Sequence, residues 1–163
     1  MKRILISILF SASVFTAASQ TSCSIKKAYA YYTVSVPGIQ MSDDNGNPIP
    51  VKPDIGRFIY FEWSDVKKPV TVTVLYNNKA LVATLTAVAG RSVTPGSEIN
   101  QNNVSKITVK KTNSLWKIDL LPKEGCAMPD QDCKNISIKI KGTKKNCTFR
   151  LFKETELMNM PRY

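Results

Sequence analysis

Three Ser-x-x-Lys pairs, an Asp/Asn cluster and four cysteines are the groups in this chain that could do chemistry, and no histidine accompanies them. Without histidine the commonest general base and the commonest zinc ligand are both missing, so Ser-His, Cys-His and His-metal mechanisms are excluded. A serine nucleophile activated by lysine needs the two groups one helical turn apart on one side. Ser114 and Lys117 lie in a strand-like stretch and point to opposite faces, while Ser24/Lys27 and Ser64/Lys67 fall in a tail and a loop. Asp43-Asp44-Asn45-Gly46-Asn47 alternates oxygen ligands, but a calcium loop opening at Asp43 would need Gly and Glu where Pro48 and Asp54 stand, so a surface turn is expected. Glu62 and Asp65 are the acids nearest a strand end, and nothing in the sequence brings a second acid within the roughly 5 to 10 Å that glycoside hydrolysis requires. No Gly-x-Gly-x-x-Gly or Gly-Lys-Thr phosphate loop occurs. The chain is therefore expected to be no enzyme and to need neither metal nor cofactor.

Charge is the feature that remains. The 163 residues carry a formal +11, and the surplus is uneven: twelve Lys or Arg against four acids between Lys106 and Lys153, but eight against six over residues 24 to 105. Lys106, Lys110, Lys117, Lys139, Lys141 and Arg150 alternate out of phase with the apolar residues around them, which predicts one outward basic face extended by Lys144 and Lys145 at a hairpin tip. Lysines on exposed strands also guard a sheet against edge pairing. The functional alternative is a platform for an anionic lipid, lipopolysaccharide, cell-wall polymer or acidic protein. Nucleic acid is not expected, because no aromatic-basic motif is present.

The N-terminus speaks to location. Met1-Lys2-Arg3 is a positive start, Ile4 to Phe15 is an apolar run too short to span a bilayer, and small residues follow at Thr16-Ala17-Ala18: the pattern of an export signal. Gln20-Thr21-Ser22-Cys23 resembles the lipobox of bacterial lipoproteins. That resemblance implies lipidation of Cys23, a membrane anchor and a place in the bacterial cell envelope facing the periplasm or the exterior, with Lys26 and Lys27 against the head groups. Cleavage after Ala18 would instead leave Cys23 an ordinary thiol and the protein soluble in the periplasm or secreted.

Export places the remaining cysteines in an oxidising compartment. A lipidated Cys23 leaves three, one of them free; otherwise four allow two bridges. Cys126 and Cys133 bracket a short loop whose closure would stabilise by roughly 2.5 kcal/mol, and they are the expected disulfide. A hairpin over 134 to 152 puts Cys147 opposite Ile140, about 23 Å along the strand from Cys133, so Cys147 is expected as a small buried core residue.

The elements that position these groups are strands. Period-two alternation marks 29–36, 57–63, 70–76, 79–88, 104–111, 115–121, 136–141 and 147–152, with a short strand near Val93 and a tight hairpin at Asn77-Asn78. About eight short strands and no helical stripe predict an all-β domain, a single antiparallel β-sandwich of Ig-like or transthyretin-like outline. A closed barrel is the alternative, distinguished by pairing of the first and last strands. Ile59, Phe61 and Trp63, Trp116, Ile118 and Leu120, and Ile136, Ile138 and Ile140 form the expected core, with both tryptophans packing rather than stacking on a ligand. The division is signal peptide 1–22, tether 23–28, sandwich 29–153 and tail 154–163. The function expected is a lipid-anchored envelope module for binding or assembly; a soluble carbohydrate-active enzyme or inhibitor is the alternative.

Overall fold

The structure, a computed structural model, describes residues 23–35, 42–49, 53–96, 105–124, 128, 135–141 and 146–157. The signal peptide, Cys126, Cys133, Lys144 and Lys145 lie outside them.

Ten strands follow in chain order: β1 (Ile25–Ser35), β2 (Asp54–Trp63), β3 (Thr71–Tyr76), β4 (Lys79–Ala87), β5 (Ser92–Val93), β6 (Ile107–Thr108), β7 (Ser114–Leu121), β8 (Ile136–Lys141), β9 (Asn146–Leu151) and β10 (Glu154–Leu157). Eight form one mostly antiparallel sheet in the order β10-β1-β2-β7-β4-β3-β8-β9, and β5 pairs with β6 as a separate ribbon. The domain is all-β, as the alternation predicts. The β3–β4 hairpin turns through Asn77 and Asn78 at φ of 44° and 67°, the left-handed conformation that asparagine tolerates.

The β3–β4 ladder holds only three residue pairs, from Val74/Leu81 to Tyr76/Lys79. The sheet folds over at that short ladder. Its five-stranded part, β10-β1-β2-β7-β4, faces its three-stranded part, β3-β8-β9, across one core. That core unites Ile59, Phe61, Trp63, Trp116, Ile118 and Leu120 with Val74, Tyr76, Ile136, Ile138 and Ile140. All nine expected core residues are buried. Both indole N–H groups are satisfied locally: Trp63 Nε1 donates to the Lys67 carbonyl at 2.8 Å and Trp116 Nε1 to Ser114 Oγ at 2.9 Å. Burying so many large side chains, at roughly 1.5 to 3 kcal/mol each, is what drives the two layers together.

The first and last strands pair, the feature expected of a closed barrel, yet β10 and β9 are the two ends of the described sheet and no ladder joins them. β10 runs parallel to β1, pairing Ala30 with Glu154 through Thr33 with Leu157. Two boundaries change as a result. β1 starts at Ile25, so most of the stretch read as a tether, 23–28, is strand, and Glu154–Leu157 is strand rather than tail. A bulge between Ile25 and Lys27 breaks the alternation at the start of β1. In β10 the charged Glu154 faces inward and Leu157 packs outward, the reverse of the usual polarity.

Candidate functional site

The two halves of the sheet treat their outer faces differently. On the five-stranded layer, Tyr31, Phe58, Tyr60 and Leu115 point away from the core, and Val88, Val93, Ile107 and Val109 of the β4–β7 connection cover them. Tyr31, Phe58 and Tyr60 pack with ring centroids 5.7 to 6.2 Å apart. Burial in this cluster raises the Tyr31 and Tyr60 hydroxyl pKa values above the usual 10.0. Glu62 pins the cover: its Oε1 accepts the Lys110 backbone N–H at 3.2 Å and the Asn113 amide at 2.6 Å. Asp65 Oδ1 accepts the Lys67 backbone N–H at 3.1 Å. Both acids therefore hold backbone and loops, and they do not converge on a cleft.

On the three-stranded layer no described residue covers the outer face. Its rows are set by register: Thr71, Lys141 and Asn146; Thr73, Lys139 and Thr148; Leu75, Ser137 and Arg150. Lys139, Lys141 and Arg150 are exposed, and no carboxylate occurs on β3, β8 or β9. At the end nearest the β3–β4 turn, Leu75, Asn78, Asn135, Ser137, Lys139, Thr148 and Arg150 line an open groove of about 500 Å³.

The basic face read from the sequence is thus two regions. Lys139, Lys141 and Arg150 share the bare layer. Lys106, Lys110 and Lys117 belong to the covered side, separated from them by β4 and β3 in the sheet order. Lys117 is also neutralised there: its Nζ lies 2.6 Å from Asp119 Oδ1 and 5.1 Å from the Phe58 ring centroid. Lys110 contributes its backbone N–H to Glu62.

Cys23 is disulfide-bonded to Cys147, with their Cα atoms 5.1 Å apart. Cys147 lies on β9 in the three-stranded layer and Cys23 just before β1 in the five-stranded one, so the bond joins the two layers at the edge of the core. Cys147 is buried opposite Ile140, as predicted, but it is cross-linked rather than a lone core thiol. A lipid thioether would occupy the same Cys23 sulfur, so the lipid anchor and this bond exclude each other.

A charged cluster missed by sequence reasoning lies inside the fold. Arg57 Nε sits 3.2 Å from Glu154 Oε1 with both side chains almost wholly buried, and the Tyr76 hydroxyl donates to the same oxygen at 2.7 Å. The Arg57 guanidinium lies 5.3 Å from the Tyr76 ring centroid. Burial raises the Glu154 pKa above 4.5, outweighing the lowering by Tyr76 and Arg57. β10, β2 and β3 each supply one member, so the cluster ties the two layers together. Asp43, the first residue of the possible calcium loop, closes a turn: its Oδ1 accepts the backbone N–H groups of Asn45 and Asn47 at 3.0 and 2.8 Å.

No group of side chains suited to a metal ion occurs among the described residues. No family model matches the chain, and comparison with curated proteins and with solved structures returns no match.

Proposed function

We propose that this chain is an exported, non-enzymatic β-domain of the bacterial cell envelope that binds an anionic partner on the outer face of β3, β8 and β9. One observation carries the reading. Lys139, Lys141 and Arg150 stand exposed on three strands without a single carboxylate, while the centre of the opposite outer face, Tyr31, Phe58, Tyr60 and Leu115, is packed under a cover. Three cations with no ion pair among the described residues raise the local positive potential and draw anions to that side. A titration with inorganic sulfate, followed by amide chemical shifts, tests it: shifts gathered on β8 and β9 support the reading, and shifts scattered over all lysines overturn it.

The leader and the disulfide together support an oxidising compartment. A bond between Cys23 and Cys147 persists in an oxidising space, and it favours cleavage after Ala18 and a soluble mature chain over a lipid on Cys23. With Cys126 and Cys133 paired as well, all four cysteines would be used. Intact mass of the native mature protein should show no acyl chain and two bridges that open on reduction. An acylated Cys23 would restore the membrane-anchored alternative.

A further inference from the structure

We infer that the occupant of the β3–β8–β9 face is a linear acidic polysaccharide, an inference that rests on the anion-binding reading above and names its ligand. The face offers hydrogen-bond donors and positive charge in a regular pattern. Lys139 and Lys141 are two residues apart on one strand, which spaces their stems by roughly 6.6 Å. Arg150 stands diagonally across from Lys139, roughly 7 to 8 Å away, with a planar fork suited to carboxylate, sulfate or phosphate oxygens. Beside the cations lie hydroxyls: those of Thr73 and Thr148 flank Lys139 across the ladder, and that of Ser137 is opposite Arg150. A ligand that fills this pattern needs an anionic group at intervals of a sugar's size and neutral hydroxyls in between.

What the face lacks discriminates among polyanions. None of the outward side chains on β3, β8 and β9 is aromatic, and the exposed Phe152 just past β9 is a single ring, too little for successive nucleic-acid bases to stack on. Membrane docking by a peripheral surface buries a set of apolar side chains among the head groups; on these three strands only the partly exposed Leu75 points outward, and the exposed Val70 and Phe152 stand singly, before β3 and after β9. An acidic protein partner would want an apolar, aromatic-rich centre to anchor it, which this layer does not present. The groove of about 500 Å³ falls within the ordinary range of ligand sites, yet it is open, which suits a segment of a longer chain better than an enclosed small molecule.

The test uses the mature chain with its disulfide intact and four probes: polygalacturonate, neutral dextran, vesicles containing phosphatidylglycerol, and polyglutamate. Binding is read by interferometry at low and moderate salt. Polygalacturonate should bind, weakening as salt rises, and neutral dextran should not. The double variant Lys139→Gln/Arg150→Gln should lose at least tenfold in affinity with an unchanged melting temperature, while Lys26→Gln/Lys27→Gln, on β1, keeps the parent affinity. Polyglutamate or vesicles binding as tightly as polygalacturonate would overturn the polysaccharide assignment and leave the anion-binding reading in place. Failure of every charged probe would overturn both. Equal loss in the two double variants would show that net charge, rather than this face, holds the polymer.

Discussion

The outer faces of the two layers are built from the same alternating strands and end up opposite in use. On β1, β2 and β7 the outward positions hold Tyr31, Phe58, Tyr60 and Leu115, and Val88, Val93, Ile107 and Val109 of the β4–β7 connection pack over them. On β3, β8 and β9 the outward positions hold threonine, serine, asparagine, lysine and arginine with a single leucine, Leu75, and nothing described lies over them. Apolar outward residues recruit a cover because exposing them costs free energy in proportion to their area. Polar outward residues need none and leave the surface open for a partner. The covered face contributes stability and the bare face contributes contact, so the two should respond oppositely to mutation.

The sharpest break comes at the seam that joins the layers. Reducing the Cys23–Cys147 bond, or replacing Cys147 with Ser, releases a cross-link across 124 residues and should cost about 4 to 5 kcal/mol in the chain-entropy model. Denaturant midpoints with and without reductant measure it. Next in size, Leu115→Ala should cost about 3 kcal/mol, because a side chain only 1 % exposed leaves a cavity under the cover. If Leu115→Ala proved neutral, the covered face would not be a second core. Glu62→Ala should cost about 1 to 3 kcal/mol by leaving the Lys110 N–H and the Asn113 amide unpaired, and it should loosen hydrogen exchange over residues 105–113 specifically.

How much of this could be read in advance depends on whether a segment's polarity runs with its geometry. Ile136, Ile138 and Ile140 alternate cleanly, and so do Ile59, Phe61 and Trp63; their burial was legible. The Asn77-Asn78 turn was legible too, since its chemistry is local. β10 was not. Its inner position is the charged Glu154 and its outer position Leu157, so a rule that sends charge outward sees no strand there. Missing β10 hides the parallel seam, and without the seam Cys147 could be weighed only against cysteines near it in its own hairpin. The basic face was read as one for a related reason. Alternation reports inward or outward, but it says nothing of strand order, and β7 and β8, neighbours in sequence, stand two strands apart.

Glu154 ties the layers with charge where Cys23 and Cys147 tie them covalently, and its titration gives a smaller handle on the same junction. Its folded pKa is raised above the ordinary 4.5, chiefly by burial, so the folded protein takes up the proton more readily than the unfolded chain. The stability linked to that proton is fully present below 4.5 and is lost as pH rises through the folded value. Stability should therefore climb as pH is lowered toward 4.5 from above, and Glu154→Gln should flatten that climb. A profile that the variant leaves unchanged would mean another group sets the slope.

The bare face should give the smallest stability changes of all, and that smallness is the informative result. Thr73, Lys139 and Thr148 share one row, and the fold has no hydrogen bond, ion pair or cover that depends on their side chains among the described residues. Exposed substitutions away from caps, cavities and networks usually stay within about 0.5 kcal/mol. Thr148→Ala and Lys139→Gln should therefore leave the denaturation midpoint where it was, and Lys139→Gln should still weaken anion binding. A residue that the fold does not use but a ligand does separates recognition from stability, whereas a midpoint shift beyond 1 kcal/mol in Lys139→Gln would return this face to the scaffold and remove the contrast between the two layers.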